Sequence, residues 1–166
     1  MEPDYYDLIM QWYRRALDEE EIFTKFIFLY IAFNAFMTQT RAEMRERQKI
    51  EFLKGDQDAK EFYLNLLHND HQLKETMKEL LVELDRESIT NSTDGGIYWI
   101  GENGKLNSEE DWENLVEFWY RVRNNLFHGH KVPDFPRDKR LVTYAYLTLF
   151  PLMQNFVKHY LTWDFS

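Results

Sequence analysis

Residues 108–131 read SEEDWENLVEFWYRVRNNLFHGHK and join a strong helix pattern to a group of basic and amide side chains. Ser108 followed by three acids is typical of a helix N-terminus, with Asp111 completing a pattern close to a capping box. Gly129 is a typical stop signal. The apolar residues recur at helical spacing on one face: Trp112, Leu115, Val116, Trp119, Val122 and Leu126. This pattern predicts an amphipathic helix that ends near Gly129.

Arg123 is the exception on the apolar face of this helix. At about 100° per residue it falls within about 20° of Trp112. Arginine keeps its charge, and burying an unpaired charge costs several kcal/mol, so Arg123 requires a carboxylate, several carbonyl or amide oxygens, or an external anion. The opposite face carries the other polar side chains: Arg121, Asn124, Asn125 and His128. Arg123 and His128 point about 140° apart on an ideal helix, so they converge only if the helix ends or distorts, or if a second copy of the chain supplies one of them.

Each of these residues also has an ordinary structural explanation. A buried arginine is more often structural than catalytic, and a histidine before a glycine often only complements the helix dipole. Asparagines near helix ends commonly bond to the local backbone. The functional interpretation therefore rests on their occurrence together.

Residues Arg123-Asn124-Asn125-Leu126-Phe127-His128-Gly129 resemble the signature of the HEPN superfamily. In that signature an Arg, a polar residue directly after it and a His about five positions on lie at the end of a helix in a small all-α domain. Residues 22–37 are similar to the apolar central helix of the family, and a long apolar helix follows the motif. The resemblance covers most of the chain, with residues 92–106 as a local addition.

The resemblance implies metal-independent endoribonuclease activity that needs no cofactor. His128 would be the general acid/base, Arg123 would bind or stabilise the scissile phosphate, and Asn124 would orient one of them or the RNA. RNA carries its own 2′-hydroxyl nucleophile, so the enzyme only moves protons and neutralises a phosphorane, which suits imidazole and guanidinium groups. A 2′,3′-cyclic phosphate and a 5′-hydroxyl are the expected products. The residues assigned to RNA binding are Arg121, Asn125, His130 and Lys131.

The resemblance also implies partners and a biological setting. Family members commonly form homodimers whose motifs face one cleft, and many act in toxin–antitoxin or antiviral defence, some with an antitoxin protein. Many family toxins carry, at the position of His130, a tyrosine that a partner nucleotidyltransferase modifies, so silencing by that route is not implied here. His130 is either a second acid/base or a surface residue.

Two other functions compete with cleavage. The HEPN superfamily contains members that bind without cutting, so the chain could be a noncatalytic module for RNA, a nucleotide or a partner protein. The other alternative is a plain helical dimerisation domain in which Arg123 pairs internally. A solvent-open cleft that contains both Arg123 and His128 would favour the nuclease, whereas an internal ion pair at Arg123 with His128 facing away would favour the dimerisation domain.

Length and composition favour one globular domain over residues 1–166, with 44% hydrophobic residues. The absence of cysteine excludes disulfides and thiolate chemistry. The N-terminus, MEPDYYDL, lacks the features of a secretory signal. Residues 141–161 are apolar but contain six polar side chains, which favours a buried core helix over a membrane span. We therefore expect a cytoplasmic protein without a membrane segment.

Charge is unevenly distributed along the chain. The net charge of −9 argues against a nonspecific nucleic-acid binder. Residues 121–140 nevertheless carry six basic and two acidic side chains, a net charge of +4, and the remainder carries −13. A basic cleft on an acidic body fits selective RNA binding, and ordinary solvated charges at helix ends explain the pattern equally well.

The fold expected is an all-α bundle of about five to six helices. Helices are predicted over residues 4–17, 20–41, 58–67, 72–84, 108–129 and 137–160, and residues 41–60 continue as an exposed helix that turns at Gly55-Asp56. Turn signals around IYWI predict a hairpin-like or irregular insertion before the motif helix. Pro151 predicts a kink or break near residues 149–150. His68, Asp70 and His71 resemble metal ligands, but their spacing fits a turn between helices better.

Overall fold

The computed structural model describes residues 4–39, 41–89, 96–127 and 135–163, with side chains described to residue 159. In these ranges the chain forms seven α-helices and no β-strand, which confirms the all-α prediction with more helices than the five to six expected. Membership of the HEPN superfamily stays a prediction. The helices are α1 Tyr5–Asp18, α2 Ile22–Thr38, α3 Glu46–Gly55, α4 Gln57–Asn69, α5 His71–Arg86, α6 Trp112–Phe127 and α7 Pro136–Trp163.

The chain divides into two compact units. Unit 1 comprises Met1–Arg45 and Pro133–Ser166, and unit 2 comprises the intervening residues Glu46–Val132. Unit 1 therefore holds α1, α2 and α7, and unit 2 holds α3 to α6. The single domain expected over residues 1–166 stays a prediction.

Helix α2 is the central element of unit 1. It is apolar on nearly all sides, and α1 and α7 both pack against it. The ring of Phe36 stacks on Phe156 with centroids 4.2 Å apart. The ammonium group of Lys25 donates to the carbonyl oxygens of Ala16 and Glu19 at 2.8 and 3.0 Å, which satisfies acceptors at the C-terminal end of α1. The apolar segment predicted as a central helix is thus central to its own unit.

Helix α7 runs without interruption through Pro151, so a break near residues 149–150 is wrong, whereas a kink there stays a prediction. Proline lacks the N–H that would continue the helical hydrogen bonds, yet the helix continues past it. The side-chain amide of Asn155 donates to the Pro151 carbonyl oxygen at 2.8 Å. Although α7 has 28 residues, neither it nor any other described helix combines the length and apolarity required to cross a bilayer.

Aspartate caps organise the first helices of unit 2. Asp56 accepts from the backbone amides of Asp58 and Ala59 at 3.0 and 3.2 Å, which confirms the turn predicted at Gly55-Asp56. Asp70 ends α4 and also caps α5 by accepting from the Leu73 amide at 3.0 Å. The corner that resembled a metal site is therefore a shared helix cap. Among the described residues, no three histidine or acidic side chains come together as a metal site requires.

The insertion before α6 is irregular over residues 96–111, with turns instead of a hairpin. The backbone amide of Ile89, three residues after the end of α5, donates to the Gly104 carbonyl oxygen at 3.1 Å. This bond attaches the insertion to the residues that follow α5. Trp99 is buried. Residues 90–95, which include Asp94 and Gly95 of the first turn signal, lie outside the described residues.

Helix α6 begins at Trp112, so the predicted start at Ser108 is wrong. The Ser108 hydroxyl accepts from the Glu110 amide at 3.2 Å and closes a separate turn. Asp111 takes the capping position, because its side chain accepts from the Asn114 amide at 3.3 Å. The residue that caps α6 thus lies three positions after the one predicted from the sequence.

Candidate functional site

The last turn of α6 positions Arg123 at the margin of the buried face. The preceding turns bury large side chains on that face, including Trp112 and Trp119, whose rings meet edge to face at 5.9 Å. The Trp112 indole donates to the Leu53 carbonyl oxygen at 3.0 Å and so ties α6 to α3. Arg123 follows Trp119 by one turn, and 25% of its side chain is exposed.

Two oxygen atoms of described residues lie close to the Arg123 guanidinium. Its Nη1 lies 3.1 Å from Oε2 of Glu46, and the same nitrogen donates to Oδ1 of Asn124 at 2.8 Å. The guanidinium also lies over the Phe127 ring, 4.6 Å from its centroid. Arg123 therefore has the carboxylate and amide partners that its place on the apolar face required. The role that the resemblance implied for Asn124, to orient a catalytic group or the RNA, stays a prediction.

Arg121 and Asn125 were predicted to contact RNA, and the structure does not present Asn125 for that role. Asn125 is 4% exposed, so we withdraw it as an RNA contact. The Nε of Arg121 donates to Glu117 at 3.2 Å, and only 12% of its side chain is exposed. Arg121 thus serves mainly to balance a buried carboxylate.

Glu117 is the centre of a second group of charges in unit 2, which the sequence analysis missed. Its side chain is fully buried and meets three cations. Arg47 donates to both carboxylate oxygens at 2.6 and 3.1 Å, and Lys54 donates to one of them at 2.5 Å. With Arg121, these contacts surround the carboxylate. Because a buried carboxylate loses its hydration, these charged donors offset the cost of its burial.

The donors around Glu117 also control its titration. Burial alone would raise the pKa of its carboxyl, but hydrogen bonds from Arg47 and Lys54 outweigh burial and hold that pKa below its usual value. Arg47 lies between two aromatic rings, 3.7 Å from the Tyr98 centroid and 4.3 Å from the Tyr120 centroid. Cation–π contact with both rings fixes the guanidinium in place. The Tyr98 ring therefore packs against Arg47.

Residues before α6 complete the cover over its polar side. Asn114 is fully buried, and its side chain accepts from the Ile100 amide at 2.9 Å and donates to the Ile100 carbonyl oxygen at 2.8 Å. Glu117 lies about 140° from Trp112 on a helical wheel, on the polar face of α6. The insertion and α3 bury that face, so α6 is enclosed on both sides over most of its length. No pattern within α6 itself signals this.

Three of the predicted site residues, His128, His130 and Lys131, lie outside the described residues. The convergence of Arg123 and His128 therefore stays a prediction, as does the contact of His130 and Lys131 with RNA. The site that the structure describes consists of Arg123 with its partners Glu46, Asn124 and Phe127. Comparisons with protein-family models, curated protein sequences and solved structures found no match to this chain.

Proposed function

We propose that this protein is a cytoplasmic, metal-independent endoribonuclease of HEPN type that acts in toxin–antitoxin or antiviral defence. The observation that supports the proposal most is the state of Arg123. Its guanidinium is oriented by Asn124, remains one-quarter exposed, and lies five residues before His128 in the sequence. A partly exposed guanidinium in a defined orientation suits a phosphodiester, whose oxygens match its planar fork.

The proposed reaction uses the substrate's own nucleophile. The 2′-oxygen of RNA attacks the adjacent phosphorus while His128 moves protons, the bond from phosphorus to the 5′-oxygen breaks, and the departing oxygen receives a proton. Arg123 neutralises the charge that develops on the phosphorane, with Asn124 as its positioning residue. The products are a 2′,3′-cyclic phosphate and a 5′-hydroxyl. We propose a homodimer in which two motifs share one cleft, so that His128 and Arg123 act on one phosphate, with an antitoxin protein as a further partner.

The first test is cleavage of total RNA and tRNA in EDTA. Wild type is expected to cut and to leave cyclic phosphate ends. Arg123→Ala should lose at least about 100-fold in rate because the phosphorane charge is no longer neutralised, and His128→Ala about 10²–10⁴-fold because proton transfer fails. Asn124→Ala should show a smaller loss. Arg86→Ala is the matched control. The Arg86 side chain is 70% exposed and lies far from the motif in the sequence, so the substitution removes the same charge at a distant position.

The outcomes separate the candidates. Rates unchanged in both Arg123→Ala and His128→Ala would show that any cleavage comes from elsewhere. Intact RNA with all proteins over a broad substrate panel would reject the nuclease. A rate that falls equally in Arg86→Ala would point to general loss of charge instead of a site.

One observation favours a plain helical dimerisation domain as the second candidate. Arg123 already has a carboxylate partner, Glu46, at 3.1 Å, and an arginine paired in this way can serve packing alone. On this reading Arg123→Ala lowers the free energy of unfolding but leaves RNA affinity unchanged. Thermal unfolding and RNA binding of the same variant distinguish the two functions.

A further inference from the structure

Glu46 forms an ion pair with Arg123, and its two carboxylate oxygens differ in their surroundings. Oε2 lies 3.1 Å from the Arg123 guanidinium. Oε1 is buried and accepts no hydrogen bond from any of the described residues. A buried oxygen without a donor is unfavourable, because it has given up water and received no hydrogen bond in return. The carboxylate is thus attached to Arg123 through one oxygen and incompletely satisfied at the other.

The neighbouring residue fixes where Glu46 stands. Arg47 binds both oxygens of the buried Glu117 and lies between the Tyr98 and Tyr120 rings. Because Glu46 is the first residue of α3 and Arg47 is the second, this anchor holds the start of α3 against α6. The anchored backbone at the start of α3 thereby places the Glu46 carboxylate next to Arg123, while the Glu46 side chain remains 29% exposed.

We propose that Glu46 is an internal anion that occupies Arg123 and is displaced by an RNA phosphate. Two anions compete for one guanidinium, so the affinity for RNA is lowered by the fraction of molecules in which Glu46 is bound. A phosphodiester can offer two oxygens to the guanidinium fork, and the displaced carboxylate recovers the hydration that Oε1 lacks. Asn124 holds Arg123 in both states. This inference rests on the proposed function, since it deepens the phosphate site placed at Arg123.

The experiment measures binding without cleavage. The probe is a short, fluorescently labelled single-stranded RNA in which every 2′-hydroxyl is methylated, so the nucleophile is blocked. Glu46→Gln should bind this probe about tenfold more tightly than wild type, because the competing charge is gone. Glu79→Gln is the matched control: it removes the same charge from an exposed position of α5 and should change the affinity less than about twofold.

Glu46→Asp provides a second and independent variant. It keeps the net charge and the acid in the first turn of α3, but it withdraws the carboxylate from Arg123 by one methylene group. It should gain affinity in the same direction as Glu46→Gln and by a smaller factor. A gain in both variants that Arg123→Ala abolishes supports displacement. Far-ultraviolet circular dichroism establishes whether each variant is folded. If Glu46→Gln does not fold, the comparison of affinities is made with Glu46→Asp alone.

Two results would overturn the inference, and they differ from failure of the proposed function. If the Glu46 variants bind the probe as wild type does or more weakly, Glu46 is not a competitor, and its contact with Arg123 is structural. If Arg123→Ala leaves the affinity unchanged, the phosphate site at Arg123 is itself rejected. A gain observed with ATP but not with the RNA probe would overturn the assignment of RNA as the displacing anion.

Discussion

Glu117→Gln is expected to lower the free energy of unfolding by about 3–5 kcal/mol, because it leaves Arg47, Lys54 and Arg121 clustered without their buried counter-charge. The neutral amide keeps the size of the side chain, so the loss reports charge and hydrogen bonding more than packing. Urea unfolding followed by tryptophan fluorescence measures the change. Glu113→Gln is the matched control on the same helix, where a part-exposed ion pair with Lys60 at 3.4 Å is worth at most about 1 kcal/mol.

Acid should reduce the difference between wild type and Glu117→Gln. The pKa of the Glu117 carboxyl is lowered in the folded protein, so its contribution to stability is fully present above the unfolded pKa, about 4.3. As pH falls below that value toward the lower folded pKa, the contribution is lost. Unfolding curves collected from neutral pH downward should therefore converge under acidic conditions. A Glu117→Gln variant as stable as wild type at neutral pH would contradict the role assigned to the three cations.

Gly104→Ala is the second substitution with a large expected effect, a loss of about 2–4 kcal/mol of unfolding free energy. Gly104 has φ +73°, a backbone conformation that L-residues rarely adopt. A Cβ there would lie 2.9 Å from the Ile89 carbonyl oxygen and 3.0 Å from its carbon, and backbone atoms cannot move aside cheaply. Chemical denaturation with urea measures the loss, with near-ultraviolet circular dichroism reporting the packing around Trp99.

Gly55→Ala is the matched control for Gly104→Ala. Gly55 is the last residue of α3, and a Cβ there would meet nothing within 4 Å. Alanine is the better helix former, so this change should be neutral or stabilise the protein by up to about 1 kcal/mol. Equal unfolding midpoints for the two variants would refute the steric requirement at Gly104.

Helices could be predicted from the sequence wherever apolar residues recur along one helix face, because that face determines which side is buried. The motif helix is an example, because the spacing of its apolar side chains is a local property. Helix α2 could be predicted from its length of nearly uninterrupted apolar sequence instead. Their exact ends depended on competition between neighbouring caps, and at α6 Asp111 prevailed over Ser108. Such competition is decided by the path of the preceding insertion, which local patterns do not encode.

The candidate site shows a similar limit. The position of Arg123 on an apolar face required an oxygen partner, and the structure supplies Glu46 and Asn124. The identity of Glu46 could not be predicted, because residues 41–60 contain several acids and nothing in the sequence distinguishes one of them. Glu117 was missed for the opposite reason: a helical wheel assigns a polar residue to solvent, whereas α3 covers that side with Arg47 and Lys54.

The division of the chain into units has a consequence for its biosynthesis. Unit 2 is one continuous run, Glu46–Val132, whereas unit 1 is assembled from segments before and after it. During translation, α1 and α2 leave the ribosome before unit 2, and α7, which packs against α2, is made after it. Helix α2, the most apolar of the described helices, therefore remains without α7 while unit 2, although made later than α2, can already fold. This order reverses the usual N-terminal-first sequence and makes α2 the segment with the longest need for protection by chaperones.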